Sequence, residues 1–230
     1  MFVLSEAVDP ARTALVVVDV QNFFCHSDGT IGRRGSDLSG YQRMVEQRLL
    51  PLIAAAREAG VAVVLTRMDH DAWSANPAAL DLEGRSLLPY GDEDRPRIGE
   101  RPPVLDRAWD YQYYRIERRP EDLEITKPRA SAFIGTTLDL ALKGRGISSV
   151  IVTGVATNVC VESTARDAFQ YGYRVMFARD CTACRSADLQ RASEITIHKF
   201  FGTVVDSEAI IAAWQGGRAG AGLATALATS

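Results

Sequence analysis

The sequence predicts an α/β fold in which helices cover both faces of a single, doubly wound and mostly parallel sheet of strand order 3-2-1-4-5-6. Three observations support this. Apolar runs rich in β-branched residues alternate with amphipathic stretches, the signature of βαβ units. The first run, residues 14–20 (ALVVVDV), is apolar almost throughout, as a strand buried on both faces should be. The length of 230 residues suits one large domain better than two small ones.

The remaining elements follow in order. Over residues 41–58, Val45, Leu49, Leu52, Ile53 and Ala56 keep helical spacing, and Gly60 supplies the stop. Residues 61–66 (VAVVLT) read as the second strand. Residues 67–122 are polar, hold most of the prolines and show no sustained period; a connection of that length is expected to line a functional cleft. Residues 123–126 (LEIT) form a short third strand ending at Lys127-Pro128. Thr136 caps a helix through Lys143, closed by Gly144 and Gly146. Residues 148–155 (SSVIVTGV) are the fourth strand, and a helix over about residues 159–171 stops at Gly172. Residues 173–180 are the fifth strand, Ser186 starts a further helix, GTVVDS gives a sixth strand, and residues 208–214 a last short helix. The domain is expected to span residues 1–215, with a Gly/Ala-rich tail over 216–230.

Composition narrows the function. A hydrophobic fraction of 47%, 24% charged residues and a formal net charge of -3 give no basic excess to attract phosphate backbones, so nucleic acid is not expected as a partner. The N-terminal run MFVLSEAVDPART lacks a basic segment followed by a long apolar one, and no stretch is long enough to span a bilayer. The expected location is the cytoplasm, with no membrane partner. Four cysteines, Cys25, Cys160, Cys181 and Cys184, are too few and too irregular for a secreted disulfide framework, so reduced thiols are expected. Cys181 and Cys184 form a C-x-x-C without a second ligand pair at metal spacing, which reads as two packed thiols.

In doubly wound sheets a ligand sits beyond the carboxyl ends of the strands, where the strand order reverses. Asp19 ends the first strand, Lys127 follows the third, and Cys160 lies in the turn after the fourth. Singly, each has a structural explanation: a turn carboxylate, a solvated lysine, a small core thiol. Independent structural residues have no reason to converge on one crevice, however. The chemistry is coherent as well: a carboxylate takes a thiol proton, while an ammonium and a helix N-terminus lower the thiol pKa. None of the three histidines, His26, His70 and His198, falls in these turns, so a Cys-His pair is disfavoured.

The blocks VVVDVQNFF (residues 16–24), ITKPRASAFIGTTLD (125–139) and VIVTGVATNVCVESTARDAFQYGYRV (150–175) resemble the isochorismatase-like cysteine hydrolases, and the resemblance spans roughly residues 12–206. It implies that Asp19 is the base, that Lys127 supports it and that Cys160 is the nucleophile. It also implies a cis peptide bond between Val155 and Ala156, with the backbone N–H groups of Ala156 and Cys160 forming an oxyanion hole. The expected reaction is hydrolysis of an amide-type C–N bond in a small molecule through a thioester, with release of ammonia or an amine.

Within that family, isochorismatases cleave a vinyl ether and commonly lack the cysteine, so Cys160 points to an amidase. Nicotinamidases of the family bind a metal through an Asp and several His after the second strand. Here TRMDHDAW offers only His70, flanked by Asp69 and Asp71, a poor ligand set that reads as a polar loop. No metal and no cofactor are expected. AWDYQ (residues 108–112) and KPRASAF resemble ureidoacrylate amidohydrolases and related hydrolases of carbamoyl (ureido) groups, although Ala130 stands where ureidoacrylate enzymes tend to carry an aromatic. Arg67, Trp73, Trp109, Tyr111 and Arg129 are candidate substrate contacts, the arginines for a substrate carboxylate. The expected partner is thus a small amide or ureido substrate, and the resemblance implies a homodimer or homotetramer. The rival reading is a catalytically silent binding or scaffold homologue that kept the fold.

Overall fold

The computed structural model describes residues 3–70, 72 and 107–216. Its strands are β1 (Thr13–Val18), β2 (Ala62–Met68), β3 (Leu123–Lys127), β4 (Ser149–Val155), β5 (Arg174–Ala183) and β6 (Thr203–Val205). They form one sheet in the order β3-β2-β1-β4-β5-β6, and every adjacent pair is parallel. The order expected from the sequence is the order observed.

Alternation along the strands builds two cores. Leu15 and Val17 of β1, with Val63 and Leu65 of β2, face α3 (Ser39–Met44), α4 (Leu50–Glu58) and α9 (Ser207–Trp214) through Met44, Leu52, Ile53 and Ile210. Ala14, Val16 and Val18, with Val150 and Val152 of β4, face the other way. There they meet Leu138 and Leu142 of α6 (Leu138–Lys143), Ala165 and Ala168 of α7 (Glu162–Gln170) and Ile197 of α8 (Ala187–Phe200). Both faces of β1 and β4 are buried, which is why these strands are hydrophobic runs without polar alternation.

The differences from the expected boundaries are local. β1 ends at Val18 because Asp19 turns into the left-handed region, at φ +52. The helical run before β2 is continuous from α3 to α4 but passes through a π turn, Val45–Leu49, just ahead of Pro51, a residue with no N–H to offer the preceding turn. Thr136 accepts from the N–H of Leu138 at 3.2 Å, and α6 itself begins at Leu138. β5 runs three residues beyond its expected end at Asp180, to Ala183. Most of the long connection between β2 and β3, including Trp73, and residues 217–230 of the Gly/Ala-rich tail lie outside the described residues. Among the described residues no helix is long and apolar enough to cross a membrane.

Candidate active site

Where β1 and β4 part company, their backbones lie unusually close. Gly154 pairs with Val18 at φ +105, and a Cβ there would stand 2.1 Å from the Val18 carbonyl oxygen, so only glycine fits. Immediately beyond this contact the chain delivers Asp19 from β1 and the cis Val155-Ala156 bond from β4. A π turn, Thr157–Val161, carries Cys160 and runs directly into α7.

The structure brings Asp19, Lys127 and Cys160 together. Lys127 Nζ lies 2.8 Å from Asp19 Oδ2, and both side chains are fully buried. Lys127 also donates to the carbonyls of Arg129 at 3.0 Å and Ala130 at 2.9 Å, so three protein oxygens surround the ammonium. Asp19 Oδ1 accepts from the Thr66 hydroxyl at 2.8 Å, and the same hydroxyl oxygen accepts from the Asp19 N–H at 3.2 Å. No directed hydrogen bond reaches Asp19 Oδ2 from elsewhere among the described residues. The Cys160 thiol lies against both Asp19 and Lys127. Its turn is tied to the Lys127 loop through Thr164, which donates to the Cys160 carbonyl at 2.7 Å and accepts from the Ala132 N–H at 3.0 Å.

The electrostatics differ from the sequence expectation of a depressed thiol pKa. Burial first, and the Asp19 carboxylate second, push the Cys160 thiol up to about 12, outweighing the opposing pull of Lys127. Burial alone would lower Lys127, but the charges of Asp19 and Cys160 overcome it and raise the ammonium above its ordinary value. The resting site is therefore a neutral thiol beside a carboxylate–ammonium pair.

The other sequence candidates are placed as follows. Thr66 and Met68 of β2 both reach the Asp19–Lys127 pair, so alternation turns Arg67 to the opposite face. There it pairs with Glu124 and lies over the Tyr113 ring, 5.5 Å from its centroid. Arg129 donates to the carbonyls of Ala72 and Pro128. The AWDYQ segment folds back on the exit of β1: the Asn22 N–H donates to Gln112, the Tyr114 N–H donates to Val20, and Gln21 and Tyr113 form an antiparallel bridge. This brings the Tyr111 hydroxyl to the His70 N–H at 2.9 Å, and sets Trp109 edge-on to His26 with centroids 4.8 Å apart.

Two further groups lie near the site, of which Thr66 carries no motif signal. Thr66 is a strand threonine whose role depends on which face it occupies, and only sheet register shows that. His70, expected as a polar loop residue, stacks on Phe23 with centroids 3.7 Å apart, and its Nε2 is buried with no hydrogen-bond partner among the described residues. Burial pushes His70 down to about 4, against the opposing pull of Asp19 and Asp110. Cys181 is buried and Cys184 partly so; both are free thiols, and Cys184 Sγ donates to the Ser186 carbonyl at 3.1 Å.

The Isochorismatase domain family model matches residues 13–209, nearly the whole described chain. This chain belongs to the isochorismatase family. Among its relatives, the ureidoacrylate amidohydrolase RutB of Methylobacterium radiotolerans is 36% identical over 208 residues, covering 87% of this chain and 78% of the relative. The RutB enzyme of Variovorax paradoxus is 35% identical over 203 residues, covering 86% and 79%. In three dimensions this isochorismatase-family chain is similar to a cysteine hydrolase from Pseudomonas syringae pv. phaseolicola, at a TM-score of 0.74 and 28% identity over 91% of this chain and 95% of that one.

Proposed function

We propose that this protein is a cysteine hydrolase of small ureido (carbamoyl) compounds, with Cys160 as nucleophile, Asp19 as general acid and base, and Lys127 as the group that fixes Asp19. The observation that carries this reading is the contact of the Cys160 thiol with the buried Asp19–Lys127 pair. The RutB relatives supply the substrate class.

The chemistry follows from the resting state. A neutral thiol is a weak nucleophile, so its proton passes to Asp19 as the sulfur attacks the substrate carbonyl. Lys127 holds the Asp19 carboxylate in place and stabilises the sulfur as its charge develops. The backbone N–H groups of Ala156 and Cys160 hold the carbonyl oxygen as it becomes an oxyanion. Collapse breaks the C–N bond, and Asp19 returns the proton to the departing ammonia. Water then attacks the S-acyl intermediate, with Asp19 again taking the proton, and the thiol is regenerated. Residues 1–215 would form the catalytic unit, with the remaining tail outside it.

Ammonia release measured over ureido acids, biuret, nicotinamide and simple amides tests this reading. Ureido compounds are expected to give the highest kcat/KM. Turnover of nicotinamide ahead of every ureido compound would refute it.

A further inference from the structure

Two side chains at the exits of β1 and β2 end in buried nitrogens that no described residue satisfies. Gln21 is fully buried; its Oε1 accepts from the Met68 N–H at 2.9 Å, while its Nε2 has no hydrogen-bond partner among the described residues. The His70 imidazole lies on Phe23 with ring centroids 3.7 Å apart and is flanked edge-on by Tyr111 at 5.5 Å, so its plane is fixed. Its Nε2 is likewise buried with no partner among the described residues. Leaving a buried nitrogen unpaired is unfavourable, and two of them on one edge of the sheet point to a polar occupant there.

The imidazole belongs to the catalytic edge of the sheet. Met68 is the register partner of Lys127, and its sulfur lies 3.9 Å from Lys127 Nζ. The next residue, Asp69, donates its N–H to the Lys127 carbonyl at 2.9 Å, and His70 follows directly. Phe23, on which the ring rests, belongs to the helical turn Asn22–Cys25, just beyond Asp19. The ring therefore spans the exits of β2 and β1, and the order β2-β1-β4 places the Asp19 exit between His70 and Cys160. Burial does not set His70 apart from the chemistry, because Asp19 is fully buried and Cys160 is only 6% exposed. Burial, helped by Lys127, outweighs Asp19 and Asp110 and holds His70 down to about 4, so near pH 7 the imidazole is neutral and one of its nitrogens can accept a hydrogen bond.

We propose that His70 is a substrate-recognition residue whose Nε2 accepts a hydrogen bond from the terminal NH2 of a carbamoyl group, with the other N–H of that NH2 turned to Asp19. The inference rests on the ureido reading above. In that reading the substrate carbonyl goes to the Ala156 and Cys160 N–H groups and the departing nitrogen lies at Asp19, so the group facing the β1–β2 edge is an NH2, a donor. The imidazole must then be the Nδ1–H tautomer, held in plane by Phe23. An acyl group of the same shape, with a methyl in place of the NH2, would leave Nε2 unpaired and be rejected.

The test compares 3-ureidopropionate with 3-acetamidopropionate, which differ only by a methyl in place of the terminal NH2. Each is titrated by calorimetry into full-length Cys160→Ala protein, alone and combined with His70→Phe or His70→Gln. The ureido compound should bind about tenfold more tightly. His70→Phe keeps an aromatic ring on Phe23 and should abolish that preference without weakening the acetamido compound, while His70→Gln keeps an acceptor and should retain part of it. The bond from the Tyr111 hydroxyl to His70 uses the main-chain N–H, so neither substitution removes it, and far-UV circular dichroism would verify the fold. Nitrogen-15 spectra of histidine-labelled Cys160→Ala protein give a second readout, which decides alone if His70→Phe fails to fold; the chain has only three histidines to assign. The unprotonated Nε2 resonance of His70 should shift on addition of 3-ureidopropionate and not of 3-acetamidopropionate. Equal binding of the two compounds, a preference that survives His70→Phe, or an Nε2 that carries the proton or ignores the ureido compound overturns the inference and leaves that nitrogen to water. Binding as expected without ammonia release by the wild type would instead overturn the hydrolase reading alone, and no binding of either compound would overturn both.

Discussion

Lys127 Nζ sits 2.8 Å from Asp19 Oδ2 with neither side chain exposed to solvent. Taking both charges out of water is unfavourable, and their attraction and the two carbonyls on Lys127 offset it. The pair is thus a poor source of net stability but a severe liability when broken. The Asp19 carboxylate so held lies beside the Cys160 thiol.

Lys127→Met should therefore destabilise the protein by about 3–5 kcal/mol, because Asp19 is left buried and uncompensated. Adding Asp19→Asn to that variant should recover part of the stability and none of the activity. Urea denaturation with ammonia-release assays on the single and double variants would separate the two effects. The pH dependence has a definite sign. Lys127 is raised in the fold above its ordinary 10.5, so its contribution is complete below that pH and is lost as pH climbs through the raised value.

Cys160→Ala should abolish turnover and leave the fold unchanged, since the thiol occupies a small volume against Asp19 and Lys127. Cys160→Ser should be nearly inactive too, because a hydroxyl is much harder to deprotonate at the moment of attack. With the thiol pushed up to about 12, inactivation of the resting enzyme by iodoacetamide should be slow at neutral pH and keep accelerating above pH 9. A rate that is already maximal at pH 7 would show a preformed thiolate and contradict the electrostatics described here.

How much of this was legible in the sequence depended on whether a feature is local. β1, β2 and β4 were readable because burial on both faces forces continuous apolar runs, and the switch-point rule then located Asp19, Lys127 and Cys160 at strand ends. Thr66 was not readable, because a threonine in a strand acquires its role only through register with β1. Arg67 illustrates the same limit from the other side: one step of alternation separates it from Thr66, and that step carries it to Glu124 instead of the site.

Gly154→Ala should be among the most damaging single-methyl additions in the chain. The added Cβ would fall 2.1 Å from the Val18 carbonyl oxygen at a φ of +105, combining overpacking with backbone strain. A loss of about 2–5 kcal/mol is expected from those two effects together. Because the contact lies one residue before Asp19 and two before Ala156, kcat should fall even in the fraction that remains folded. Chemical denaturation and kcat measured on the soluble fraction would check both parts, and a variant with wild-type stability would contradict the close approach.

His70 should impose a pH dependence on stability that a neutral substitute removes. Its imidazole is stacked on Phe23, its Nε2 is buried with no hydrogen-bond partner among the described residues, and burial holds its pKa down to about 4 from 6.5. Between those two values the unfolded chain binds a proton that the folded protein refuses, so stability is full above pH 6.5 and declines as pH falls toward about 4. The shift corresponds to about 3 kcal/mol if fully realised, and partial solvent access to the ring brings the expected loss to about 1–3 kcal/mol. His70→Gln cannot take up that proton, so the difference in unfolding free energy between wild type and variant should shrink, or change sign in favour of the variant, as pH drops from 7.5 to 4. Carboxylates elsewhere titrate in both proteins and cancel in the difference. A difference that stays constant across that range would mean the imidazole is solvated in the folded protein.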